Sequence, residues 1–169
     1  MKIKNLFILL YLALLFRCGD SLSPSDEKEF GIYLLKDTAL TTSDAKELPL
    51  TSLQVQDSPI ISMNDVETYN WAEQIITLTP EAFERFGKVG EKVKSTFGLP
   101  FVVVVEEIRI YLGNIYPSYS SYLHEDLPSV AVAPFTEMKI SRAPDKSLAD
   151  QRMDERIYQI MKTKNKIKE

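Results

Sequence analysis

FVVVVEEIRIYLGNIYPSYSSY, residues Phe101 to Tyr122, decides the reading of the fold. Phe101–Val105 is five strand-forming apolar residues in a row, the pattern of a central strand covered on both faces. Glu106-Glu107 reads as the turn. In the return strand Ile108, Ile110 and Leu112 alternate with Arg109 and Tyr111, so one face is offered to water or to a partner. Gly113-Asn114 is expected to break that strand. Tyr116-Pro117-Ser118-Tyr119-Ser120-Ser121-Tyr122 follows, with three of the eight tyrosines of the chain. Tyrosine combines a large flat contact area with a hydroxyl at low entropic cost. Two readings are open here. In one, Tyr111, Tyr116, Tyr119, Ser120, Ser121 and Tyr122 bind a glycan or an envelope protein. In the other, the rings pack over the open face of the sheet and their hydroxyls meet backbone.

Upstream, Phe30–Lys36 reads as a first strand, and Asp37–Glu47 as polar turns. Leu48–Val55 reads as a weak edge strand, with Pro49 favouring an edge. Ser62 with Asp65 three residues on resembles a capping box around a short helical turn. Trp71–Leu78 reads as another strand. Thr79-Pro80-Glu81 is a helix start, with Thr at the N-cap, Pro at the first helical position and an acid at the positive end of the dipole. Ala82, Phe83, Phe86, Val89 and Val93 fall on one face of that helix. Gly87 and Gly90 weaken it by about 1 kcal/mol each relative to alanine.

Downstream, Leu127–Phe135 is a fifth strand, and Met138–Ser141 pairs with a neighbour. Ser147 is expected to cap a last helix with Leu148, Met153, Ile157, Ile160 and Met161 as its apolar stripe. Lys162, Lys164, Lys166 and Lys168 make a basic tail over residues 162–169, which solubilises the end or touches anionic headgroups.

The chain has 169 residues, with 20 basic against 24 acidic side chains. Residues 1–17 carry Lys2, Lys4 and Arg17; without them 17 bases face 24 acids, a net charge of −7. Residues 19–79 hold eleven acids and only Lys28, Lys36 and Lys46 as bases. A domain so acidic repels nucleic acid, so no nucleic-acid partner is expected.

The start has a different character. Two lysines precede Leu6–Phe16, an unbroken run of eleven apolar residues. A bilayer core of about 30 Å needs roughly twenty, so the run reads as a signal peptide over residues 1–17. Cys18 is the single cysteine, and in an exported chain it has no internal disulfide partner. Gly19–Glu29 is polar and reads as a flexible tether. Residues 30–161 then form a single domain.

Few catalytic chemistries fit. His124 is the only histidine, which excludes multi-histidine metal sites, and the cysteine-based zinc patterns are absent. Neither a Gly-x-Ser-x-Gly motif nor a phosphate-binding loop occurs. A serine hydrolase has only His124 for its base, with Ser118, Ser120 or Ser121 and Asp126 as partners. These residues are closer in sequence than a triad usually draws its members. Glu106 and Glu107 read as solvated turn residues rather than a pair facing across a cleft. No cofactor and no metal is implied.

Leu15-Phe16-Arg17-Cys18 resembles the lipobox of bacterial lipoproteins, although Arg17 stands where that family has a small residue. The resemblance implies that the Cys18 thiol is acylated, that Cys18 becomes the mature N-terminus, and that the chain is held to a membrane of the cell envelope, facing the periplasm or the exterior. Each buried CH₂ of an acyl chain contributes about 0.8 kcal/mol, and more than one chain gives stable anchoring. Two further segments, Leu78-Thr79-Pro80-Glu81-Ala82-Phe83 and Phe101–Tyr111, are similar to the first periplasmic head of the translocase subunit SecD. That similarity spans about residues 72–122 and implies an α+β periplasmic module that touches other proteins.

The expectation is one α+β domain: a mainly antiparallel sheet with two main helices on one face, tethered by a lipid on Cys18. The leading function is a non-enzymatic envelope lipoprotein that binds a partner. The alternatives are a hydrolase acting on an envelope polymer and a purely structural envelope protein.

Overall fold

A computed structural model of the chain describes residues 29–93, 96–117, 119, 120, 122–132 and 137–168. The expected signal peptide, Cys18, the expected tether as far as residue 28, Ser118 and Ser121 of the tyrosine loop, and residues 133–136, which include the end of the expected strand Leu127–Phe135, lie outside the described residues.

The hairpin forms where the sequence places it. Strand β5 (Leu99–Val105) pairs antiparallel with β6 (Ile108–Pro117) through a two-residue turn. Both turn residues take left-handed conformations, Glu106 at φ 48° and Glu107 at φ 69°. This is the turn whose twist matches a right-twisted hairpin, and it favours Asn-Gly. On the far side of β5 lies β1 (Phe30–Leu34), antiparallel, and outside it β2 (Ile61–Ser62). Strand β7 (Ser129–Val132) runs parallel to the last four residues of β6. The order of this five-stranded sheet is β2-β1-β5-β6-β7, so β5 is central.

Both faces of β5 are covered, as its unbroken apolar run requires. Phe101, Val103 and Val105 enter the main core, and Val102 and Val104 a second, smaller one. The main core also takes in a helix α2 (Pro80–Lys92) and a helix α3 (Glu155–Thr163), through Ala82, Phe86 and Val89 and through Ile157 and Met161. The two helices pack on one face of the sheet, and the fold is α+β with mainly antiparallel pairing. The other face is closed by a short helix α1 (Thr42–Lys46). It lies in a stretch expected to be turns: Thr41 caps it by accepting the Asp44 N–H, and Ala45 is buried.

The return strand differs from its expected reading in two ways. Val104 stands opposite Arg109 but Val103 opposite Tyr111, so β6 holds one extra residue at Ile110. A bulge of this kind resets the alternation of side chains. Arg109 stays on the α1 side, where its Nε donates to the Leu53 carbonyl at 2.9 Å. Tyr111 turns into the main core, 2% exposed, with its ring edge-on to Phe101 at 6.3 Å. Tyr111 is therefore core and not a contact surface. The second difference is that Gly113-Asn114 does not end the strand. Gly113 lies opposite Phe101, whose ring covers it, an aromatic cover that makes glycine tolerable inside a strand.

The remaining strands form a second sheet, not extensions of the first. It consists of β3 (Val66–Asn70), β4 (Ile75–Leu78), β8 (Glu137–Lys139) and β9 (Ile167–Lys168), in the order β8-β4-β3-β9. Its Val66, Tyr69, Ile76 and Met138 pack into the main core. The expected strand Trp71–Leu78 begins at Ile75, because Trp71–Gln74 is a tight turn. Gln74 holds it: its buried amide donates to the Trp71 carbonyl at 2.7 Å and accepts from the Tyr69 hydroxyl at 2.5 Å. The capping box at Ser62 and Asp65 is formed around a 3₁₀ turn, Met63–Asp65, and Arg85 joins Asp65 at 2.6 Å.

Thr79 caps α2 as expected, and Gly87 faces open space, so close packing does not require it. Leu48–Val55 does not form an edge strand. Ser52 folds back onto the Pro49 carbonyl through its N–H and its Oγ, closing a 3₁₀ turn at Leu50–Ser52; only Val55 bridges to Leu35. The last helix starts later than Ser147. Asp150 and Asp154 each accept the N–H two residues on, which makes a 3₁₀ turn at Gln151–Met153 and then α3. Leu148 and Met153 consequently stay exposed, while Ile157 and Met161 are buried. The lysine-rich end is partly built into the second sheet: Ile167–Lys168 runs parallel to β3, and the Tyr69 N–H donates to the Lys166 carbonyl at 2.7 Å.

Candidate functional site

The loop that follows β6 is fastened to the loop that precedes β5. Ser120 donates from Oγ to the Thr96 carbonyl at 2.8 Å, its N–H donates to Pro117, and its Oγ accepts from the Tyr122 N–H at 3.1 Å. Ser120 thus holds the loop together instead of facing a partner. Gly98 makes the other side of the junction possible. Its φ of 79° and the Asn114 side chain, 2.5 Å from where a Cβ would sit, leave room for no other residue.

This junction pushes four large apolar side chains outward: Tyr119 at 74% exposure, Phe97 at 50%, and Leu123 and Tyr122 at about 40%. The rings of Phe97 and Tyr122 meet edge to face at 5.0 Å. Tyr122 also lies edge-on over His124 at 5.0 Å. Of the residues singled out from sequence, Tyr119 and Tyr122 lie on this surface. Tyr116 is half-buried at the end of β6, Ser120 is a fastener, and Tyr111 is in the core. Sequence reasoning missed Phe97, which stands between the helix and the strand and belongs to neither pattern. Leu123 carried no signal beyond its place beside Tyr122.

His124 is the floor of this surface. It is 4% exposed, and its Nε2 has no hydrogen-bond partner among the described residues. Burial lowers the pKa of the imidazole, and the Lys46 ammonium lowers it further; Asp126 and a hydrogen bond to the backbone of Phe97 act against this. The net effect is a value below the ordinary 6.5, so the ring is neutral at neutral pH. Asp126 is paired with Lys46 at 3.1 Å. Among the described residues, then, the hydroxyl of Ser120 serves a carbonyl and the carboxylate of Asp126 serves a lysine, and no serine–histidine–aspartate relay is assembled.

A second polar cluster lies between the main core and the 145–153 loop. Arg152 grips both oxygens of Asp150, at 2.8 and 2.6 Å, and donates to the Ile140 carbonyl at 2.6 Å. That fork holds the Asp150 carboxyl below its usual range. Nearby, burial pushes the hydroxyls of Tyr69 and Tyr111 well above theirs. Arg152 is saturated by Asp150 and the Ile140 carbonyl, which is the arrangement of a structural clamp. Among the described residues no three His, Cys, Asp or Glu side chains converge as metal ligands, and no helix is long and apolar enough to cross a membrane.

Comparison with models of protein families, with curated proteins and with solved structures found no match.

Proposed function

We propose that the chain is a non-enzymatic lipoprotein of the bacterial cell envelope, anchored through Cys18, that binds another envelope component through Phe97, Tyr119, Tyr122 and Leu123. The observation that carries the binding role is the exposure of these four side chains on and beside one loop, with Phe97 and Tyr122 in ring contact. Scattered apolar residues on a surface need no explanation, but a gathered group with aromatic members is the composition of a contact patch. The location rests on the apolar run and on Leu15-Phe16-Arg17-Cys18. The similarity to the SecD head agrees with a module that touches proteins.

Site-specific photocrosslinking from position 119 in intact cells tests the binding role. One dominant adduct is expected, and it should weaken in Phe97→Ala and Tyr122→Ala. Adducts no stronger than those from an exposed control position, such as Lys36, rule the patch out. Metabolic labelling with a palmitate analogue tests the anchor: label should enter the wild type and be lost in Cys18→Ala.

A further inference from the structure

Strand β6 is paired on both sides only at Asn114 and Ile115; Tyr116 and Pro117 pair with β7 alone. From Ile108 to Gly113 no described strand lies along its outer edge. The Asn114 N–H points outward, to the Pro128 carbonyl at 2.9 Å. This agrees with Pro100, which has no N–H, standing opposite Asn114 on β5. Pairing is regular from Tyr111 to Ile115, so the N–H and C=O of Leu112, two residues before Asn114, face the same outer side.

A cavity of about 380 Å³ runs along this edge. Ile110, Tyr111 and Leu112 all line it. The side chains of Tyr111 and Leu112 point to opposite faces of the sheet, so what they share with the cavity is the edge itself. Leu48 and Leu50 wall it from the α1 side and Leu148 from the 145–153 loop; Leu48 and Leu148 are themselves exposed. The two charged residues that line it, Lys46 and Asp126, are paired with each other at 3.1 Å. The trough therefore has leucine walls, one ion pair and Gln151 at its rim, and the outward N–H and C=O of Leu112 on its floor. An occupant with a net charge gains nothing there. An uncharged chain in extended conformation satisfies the Leu112 donor and acceptor.

We infer that the outer edge of β6 is a peptide site, which takes an uncharged extended polypeptide segment as an added strand, with alternate apolar side chains held between Leu48, Leu50 and Leu148. The observations are independent of the aromatic surface. Residue Leu112 supplies the hydrogen bonds, and the leucine walls select apolar side chains. An added strand continues the line of β7, which begins where the free edge ends.

The test uses the full chain in detergent and a short blocked peptide of alternating serine and valine, with amide exchange followed by NMR. The expected result is that the Leu112 amide exchanges readily in the free protein and is protected by the peptide. N-methylation of the peptide backbone at its edge-facing residues, or Leu148→Lys in the protein, should weaken binding by about tenfold. Leu148 is exposed, so this variant leaves the fold intact. Three results overturn the proposal. One is an unchanged Leu112 amide at millimolar peptide. Another is protection that rises with protein concentration alone, which assigns the edge to a second copy of the chain. The third is peptide binding lost in Tyr122→Ala but kept in Leu148→Lys, which assigns the peptide to the aromatic surface.

Discussion

The ring of Phe101 lies across Gly113 and fills the space that a Cβ on that residue would need. The contact ties the central strand to its neighbour and leaves β6 unbroken at a residue that usually weakens strands. Gly113→Ala should therefore destabilise the fold by about 1–3 kcal/mol, the usual cost of overpacking a core. Urea denaturation measures this. The same change made in a Phe101→Leu background should cost less, because the clash is with that ring. Equal costs in the two backgrounds would show that Phe101 is not the obstacle.

The hairpin tip holds stored strain. Glu106 and Glu107 both sit at positive φ without being glycine. Replacing them by Asn-Gly, the residues this turn prefers, should raise stability by roughly 1 kcal/mol. A higher urea midpoint with an unchanged slope is the expected signature. An unchanged midpoint would mean that the two glutamates hold the turn at no cost.

His124 makes stability depend on pH. Its folded pKa is lowered, chiefly by burial. Below the ordinary value of about 6.5 the unfolded chain takes up a proton that the folded one does not. Stability from this group is thus fully present above about pH 6.5 and falls as the pH drops through that value toward the lower folded one. Asp65 and Asp150, whose folded values are also lowered, act in a separate window: their contribution is present above the ordinary carboxylate range and is lost at more acid pH. The wild type should lose stability between pH 7 and pH 5, and His124→Gln should lose less. An imidazole that titrates above 6.5 by NMR contradicts this.

The Asp150–Arg152 fork holds the 145–153 loop against the Ile140 carbonyl. Asp150→Asn leaves a guanidinium whose side chain is only 11% exposed without its anion. A loss of about 1–3 kcal/mol is expected. Arg152→Lys should not restore full stability in an otherwise normal chain, since an ammonium lacks the fork. If either variant matches the wild type in urea, the clamp has no stabilising role.

Much of the hairpin was legible because its signals are local. Five apolar residues in a row, a polar turn, and the Thr79-Pro80-Glu81 helix start each need only their neighbours to be read. The bulge at Ile110 was not legible, since it arises from how β6 meets β5, and it moved Tyr111 from the expected surface into the core. The division into two sheets was hidden for the same reason: β9 finds β3 from almost a hundred residues away. At the candidate site, Tyr119 and Tyr122 were visible through their clustering. Phe97 was not, because its exposure depends on the left-handed Gly98 and on Ser120 reaching Thr96.

Glu29, the first described residue, carries a carboxylate 2.6 Å from the Lys164 ammonium, just beyond α3. The same Glu29 accepts the Glu106 N–H through its carbonyl at 3.1 Å. The path of the backbone through the domain is thus close to a closed circuit, which leaves from and returns to the end of the molecule that bears the hairpin tip. Such a circuit can be opened elsewhere and joined here by a short link while every strand keeps its neighbours. It also means that a force applied at Glu29 and at β9 would act across this one junction, and would leave the loop at the other end of β6, with Tyr119 and Tyr122, outside its path.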